Sequence, residues 1–210
     1  MAQVSARLGD DVGYLIGSAL PDIATMGRFR LTERPDSDSV GAGIDLHHRT
    51  DDAFHGHRWF RRNSQAVTKT LEQAGLPRGA AMACGHVGIE LLLDGQLLDQ
   101  NPDLRPSVQA AMVDVGRAEH GLTEVVASER QQDWAVHLER IADWTLPDDY
   151  RQPDSVAERL RRILARRRRL AFPIEQVGLV ADTLRQRQPI LEAGSKELIE
   201  DLRSELATPS

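Results

Sequence analysis

The chain contains a single cysteine, Cys84, in 210 residues. No internal disulfide can form, and a lone thiol suits a reducing compartment. Aromatic residues make up only 4%, which leaves few rings to stack on unpaired bases. Basic charge is not in excess: 26 Lys and Arg stand against 32 Asp and Glu, a net of -6. A general nucleic-acid binder usually carries the opposite balance. No apolar run approaches the roughly 20 residues of a membrane span. The opening MAQVSARLGDDVGYLIGSALPD has no basic start followed by a sustained apolar core, so no secretion signal is expected. Alternating runs of the kind a half-buried strand needs are nearly absent. The expectation is a cytoplasmic protein with no membrane segment and no nucleic-acid partner, folded as one α-helical domain over residues 1–210.

What is present is helical periodicity. Val12, Leu15, Ile16, Ala19 and Leu20 fall at helix spacing, and Pro21 predicts a break or bend there. The stretch RFRLTERPDSDSVGAG reads as a loop, with Asp36 to Ser39 able to cap the next helix. Helix is expected from about 40 to 74, broken near Gly56 and Asn63. Gly75-Leu76-Pro77 is a stop followed by a restart. Residues 78–99 form the most apolar helix, which Asn101-Pro102 ends. Further helices are expected at 105–119, 122–144, 154–170 and 174–205. Pro147, Pro153 and Pro173 fall near the joints, and Pro189 at a kink. The fold class is all-α, a helical bundle.

Four of the seven histidines fall in GIDLHHRTDDAFHGHRWF, residues 43–60. His47, Asp51 and His55 are spaced i, i+4, i+8, a stripe roughly 80° wide on a helix. His86, Glu90 and Asp94 repeat the spacing. His48 and Asp52 form a further pair turned about 100° away, so they cannot face the same site. One such pair alone is ordinarily a solvated surface pair. The second triad, however, is embedded among Val87, Ile89, Leu91, Leu92 and Leu93, and partly buried ionisable groups need partners or a metal. Asp22, just after Leu20-Pro21, can bring a carboxylate from a third element. Imidazole and carboxylate without thiolate favour Mn, Fe, Zn or Mg. Such a metal polarises a phosphoryl oxygen and generates hydroxide from bound water. Cys84 reads as a small core residue.

Gly17-Ser18-Ala19-Leu20-Pro21-Asp22, then Gly43-Ile44-Asp45-Leu46-His47-His48-Arg49-Thr50-Asp51, then His86, then Arg166-Arg167-Arg168-Arg169-Leu170 resemble the acyl carrier protein phosphodiesterase family. The shared order covers roughly residues 13–172. The resemblance implies a helical fold related to the HD-domain phosphohydrolases and a manganese-dependent phosphodiesterase of fatty acid biosynthesis. It would release 4′-phosphopantetheine from holo-acyl carrier protein. Carried over by position, Asp22, His47, Asp51 and His86 match the family's metal-site residues. Glu90 and Asp94 are further ligands or, with Asp51, the catalytic base by inference from their spacing. The chain departs from the family at Gly85, where an aspartate precedes the histidine, at Arg168, where proline is common, and at His48, where arginine is found.

Residues 151–170 hold eight arginines against Asp154 and Glu158. Val156, Leu160, Ile163 and Leu164 predict an apolar helix face, with Arg159, Arg162, Arg166 and Arg169 as a stripe beside it. Arg49, Arg162, Arg166, Arg167 and Arg169 are candidates to bind a phosphate or an acidic partner protein. A solvated face paired with acidic helices is the plainer alternative. Trp134 and Trp144 read as packing with Leu138 and Ile141. His120 and His137 read as isolated surface or satisfied core residues. Trp59 and Phe60 read as core, or as the rim of a pocket. Three functions remain open: the carrier-protein phosphodiesterase, a metal-dependent hydrolase of another phosphoester, and a non-catalytic helical protein that binds an acidic partner through Arg161–Arg169. The pattern does not set an oligomeric state.

Overall fold

The computed structural model describes residues 11–35, 37–115 and 122–207. These residues are all-α, as the patterning implies. They form eight α-helices and three short 3-10 segments, and the sole extended pairing among them is an isolated bridge between Leu31 and Val126. None of the described helices is long and apolar enough to cross a membrane. Asp36 and His120 lie outside the described residues. Backbone contacts divide the chain into two compact units, Met1–Asp52 with Asn101–Leu146, and Ala53–Gln100 with Pro147–Ser210.

In the first unit, α1 (Val12–Gly27) starts where the Asp11 carboxylate accepts the backbone N–H groups of Gly13, at 2.9 Å, and Tyr14. Of the break or bend expected at Pro21, the break does not occur. The missing N–H bond and the ring's clash with the Gly17 carbonyl are local costs. Burial of Ile16, Leu20, Ile23 and Ala24 on both sides of the proline outweighs them. Next, α2 (Asp38–Gly56) begins inside the expected loop, with Gly41 and Gly43 in its first turns. These glycines are not loop signals. A Cβ on Gly43 would lie 2.3 Å from the Tyr14 carbonyl oxygen, and one on Gly17 2.1 Å from that of Val40. Only bare backbone lets α1 and α2 approach so closely.

Two further helices, α5 (Leu104–Val115) and α6 (Gln131–Ala142), complete this unit's core with Met112, Val115, Trp134 and Leu138. The helix expected at 105–119 is described only to Val115. The one expected at 122–144 starts nine residues late. Residues 122–125 are a 3-10 turn, and the Val125 carbonyl accepts the N–H of Thr32 at 2.8 Å. A carbonyl bonded across to another segment is not left to open an α-helix. Trp134 is core as expected, its indole N–H donating to the Leu122 carbonyl at 2.7 Å.

The second unit holds the last turn of α2, then α3 (Arg58–Gln73), α4 (Arg78–Gln100), α7 (Pro153–Leu164) and α8 (Val177–Ala207). The expected break falls at Gly56, because His57 caps α3: its Nδ1 accepts the Trp59 N–H at 3.2 Å. Asn63 does not break the helix. It is buried and donates to the Trp59 carbonyl at 2.8 Å. Gly75, at φ 93°, turns the chain between α3 and α4. Leu71, Ile89, Leu160, Leu184 and Leu191 are shared in one core. The expected 154–170 helix ends at Leu164. Arg166–Arg169 lie in turns, and Ile163 is half exposed, so the four-arginine stripe on one helix does not form. The final helix runs unbroken past Pro189 to Ala207.

Candidate metal site

Three side chains converge within the second unit. His55 projects from the last turn of α2, and His86 and Glu90 stand one turn apart on α4. The Glu90 carboxylate oxygen Oε1 accepts from His55 Nε2 at 2.8 Å and from His86 Nε2 at 3.1 Å. The two imidazoles stack with centroids 4.7 Å apart and planes 22° apart. Buried Phe60, on α3, presents its ring obliquely to His55, at 4.9 Å, and edge-on to His86, at 5.0 Å. Phe54 packs on Phe60 at 4.6 Å, closing that side with hydrocarbon.

Opposing effects act on Glu90. Burial pushes its carboxyl up, but the hydrogen bonds and charges of His86 and His55 outweigh burial and hold it below its ordinary value. The group is therefore an anion with two donors aimed at one oxygen. About 29% of the Glu90 side chain and 46% of the His86 side chain remain exposed, so the cluster is reachable from solvent.

The donor set fits a divalent metal. One ligand atom from each of His55, His86 and Glu90 can be chosen so that all lie within 4.8 Å of one another, and among the described residues no other group of three or more His, Cys, Asp or Glu does so. Ligands at about 2.0–2.2 Å from a tetrahedral ion stand roughly 3.3–3.6 Å apart. The observed 2.8 and 3.1 Å are hydrogen-bond distances, so the rings need retreat only by some tenths of an ångström. Two imidazoles and one carboxylate leave coordination positions open, as catalytic sites require.

The structure brings together only part of the expected ligand set. His86 and Glu90 meet as expected, whereas Asp94 is exposed one turn further along α4 and stands outside the group. Asp22, His47 and Asp51 belong to the first unit and form no such group there. Asp22 is exposed on α1 and Asp51 half-buried on α2. His47 is buried, with Nδ1 2.9 Å from the Ser18 carbonyl, a bond that ties α2 to α1. His55, the third member of the 47–51–55 stripe, is the residue that joins Glu90. Its i+8 spacing was the available signal.

The remaining candidates have plainer places. Arg49 is exposed on α2. Arg162 and Arg161 both donate to Glu158, at 2.9 and 2.7 Å. Arg166, Arg167 and Arg169 are exposed. His137 is half-buried and satisfied, with Nε2 2.8 Å from the Ile23 carbonyl. Gly85 is set against α3: a Cβ there would lie 2.6 Å from the Ser64 carbonyl oxygen and 2.4 Å from Thr68 Oγ1. An aspartate at this position would enter the helix contact, not the cluster.

No protein-family model matches the chain, and neither a curated protein nor a solved structure matches it.

Proposed function

We propose that the protein is a metal-dependent phosphodiester hydrolase whose ion is held by His55, His86 and Glu90. The observation that carries this reading is the convergence of two imidazoles and one carboxylate, partly open to solvent, against a phenylalanine wall. Bound there, a divalent ion such as Mn, Fe, Zn or Mg supplies Lewis acidity and a water acidified towards neutral pH. Glu90 fixes both rings by their Nε2 atoms and brings the negative charge that favours a dication. Phe60 and Phe54 exclude water from one side and limit ring rotation. The resemblance to acyl carrier protein phosphodiesterases supports holo-acyl carrier protein as substrate, with a different phosphoester as the alternative. The exposed cations of Arg166–Arg169 are suited to an anionic substrate.

Metal content and affinity test the reading, measured by elemental analysis and by titration with Mn and Zn. Wild-type protein should bind about one ion per chain. Glu90→Gln and His55→Ala should each weaken binding by roughly 100-fold. Affinity should rise with pH, because protons compete with the metal for imidazole nitrogen and carboxylate oxygen. Loss of the pantetheine arm from holo-carrier protein, read by mass, then separates that substrate from aryl phosphodiesters. Wild-type protein that takes up no ion and gains no thermal stability from one sinks the proposal and leaves a non-catalytic hydrogen-bonded cluster.

A further inference from the structure

A second feature of the Ala53–Gln100 and Pro147–Ser210 unit lies on the solvent face of α3. Arg58, the adjacent pair Arg61 and Arg62, Gln65 and Lys69 recur about once per helical turn, so they form a single stripe about 16 Å long. With Ala66, on the same helix, they line a shallow groove wide open to solvent. The stripe is poorly neutralised from within. Arg58 reaches Glu197 at 3.2 Å, an exposed pair of little strength. Among the described residues, Arg61, Arg62 and Lys69 have no carboxylate within 4.0 Å. The nearby Glu72 turns to Arg78, at 3.8 Å.

Arg187 of α8 adds a further cation. Its Nε donates to Asn63 Oδ1 at 2.8 Å, which fixes the guanidinium beside α3. Burial, and after it the charge of Arg62, push Arg187 down from its ordinary value. The free protein thus holds two guanidiniums in mutual repulsion, which an anion would relieve. No aromatic side chain lines the groove, so it offers no platform for stacked bases. The chain's net charge of -6 also disfavours an extended polyanion.

We infer that this face of α3 docks an acidic helical segment of a partner protein, with carboxylates along one of its faces that meet Arg58, the Arg61–Arg62 pair one turn on, and Lys69 two turns beyond that pair. The length of the stripe matches one face of such a segment over about three turns. The inference does not depend on the metal reading.

The test uses the full chain, stripped of metal with a chelator, so that failure here leaves the hydrolase reading untouched. Fluorescence anisotropy is read with two labelled alanine-based helical peptides of equal glutamate content. One carries its glutamates on a single face, and the other scatters them around the helix. Wild-type protein should bind the one-faced peptide at least about tenfold more tightly at low salt, and more weakly as salt rises. Arg62→Glu with Lys69→Glu should erase that preference. Arg30→Glu with Arg140→Glu, exposed cations of the other unit, should preserve it. Equal binding of the two peptides, equal losses from both double variants, or no binding at low salt would overturn the inference. Displacement by a single-stranded oligonucleotide of equal total charge would overturn it in favour of nucleic acid. The wild-type preference is itself decisive, so the outcome does not hang on a variant's folding.

Discussion

His55 and His86 stack with ring centroids 4.7 Å apart, and both turn Nε2 towards the same oxygen of Glu90. The Glu90 carboxylate holds both rings by hydrogen bonds, and Phe60 keeps them from swinging away on their buried side. The arrangement is therefore ordered without an ion, by hydrogen bonds that an ion would replace.

The double grip of Arg161 and Arg162 on Glu158 has a pH signature. Hydrogen bonds from the two guanidiniums, aided by their charges, lower the Glu158 carboxyl from 4.5 to about 2 against the opposing effect of desolvation. A depressed carboxyl contributes stability that is present above its ordinary value and lost as pH falls through its folded value. That window here runs from about pH 4.5 down to about 2. A carboxyl-carbon NMR titration should place Glu158 near the lower figure, and Arg161→Gln with Arg162→Gln should return it towards the upper one. Solvent screening keeps the energetic effect small, and added salt should shrink the shift. A wild-type titration at the ordinary carboxylate value would disprove the grip.

Gly85 is a packing residue. Gly85→Ala gains helix propensity of up to about 1 kcal/mol, but it forces a methyl group against the Ser64 carbonyl. Overpacking of this kind costs about 1–3 kcal/mol, so the expected result is net destabilisation. Gly85→Asp should be worse, because it also buries a carboxylate. A Cβ on Gly178 in α8 meets nothing within 4 Å, so Gly178→Ala should be neutral or slightly stabilising. Urea midpoints decide the matter. If Gly85→Ala is as stable as Gly178→Ala, α3 and α4 are not in backbone contact there.

Cys84 should be inert in the folded chain. It is fully buried in the core of Leu71, Ile89 and Leu160, and burial pushes its thiol up to about 12. Alkylation by iodoacetamide at mildly alkaline pH should be negligible in native protein and complete in denatured protein. Rapid labelling of native protein would place the thiol at the surface.

Several elements were legible without coordinates. The all-α class follows from helical periodicity and missing alternation, and α4 matches its expected span within one residue. Cys84 and Trp134 also take the core places expected of them. Errors fell where a tertiary contact overrode a local signal. Pro21 read as a break or bend, and packing carries its helix through without a break. Gly41 and Gly43 read as loop, while their lack of side chains serves a helix–helix contact.

The sequence by itself determined the chemistry of the cluster. An i, i+4 rule on a regular helix is enough to set His86 beside Glu90 and to put His47, Asp51 and His55 in one row, since helix pitch fixes those neighbours before anything packs. Which end of that row would meet Glu90 was not local information. It depends on where α2 ends, at Gly56, and on the His57 cap that redirects the chain into α3. It depends equally on Phe60 and Phe54 filling the space behind the rings. These contacts join residues distant in the chain, so only the tertiary structure chose His55.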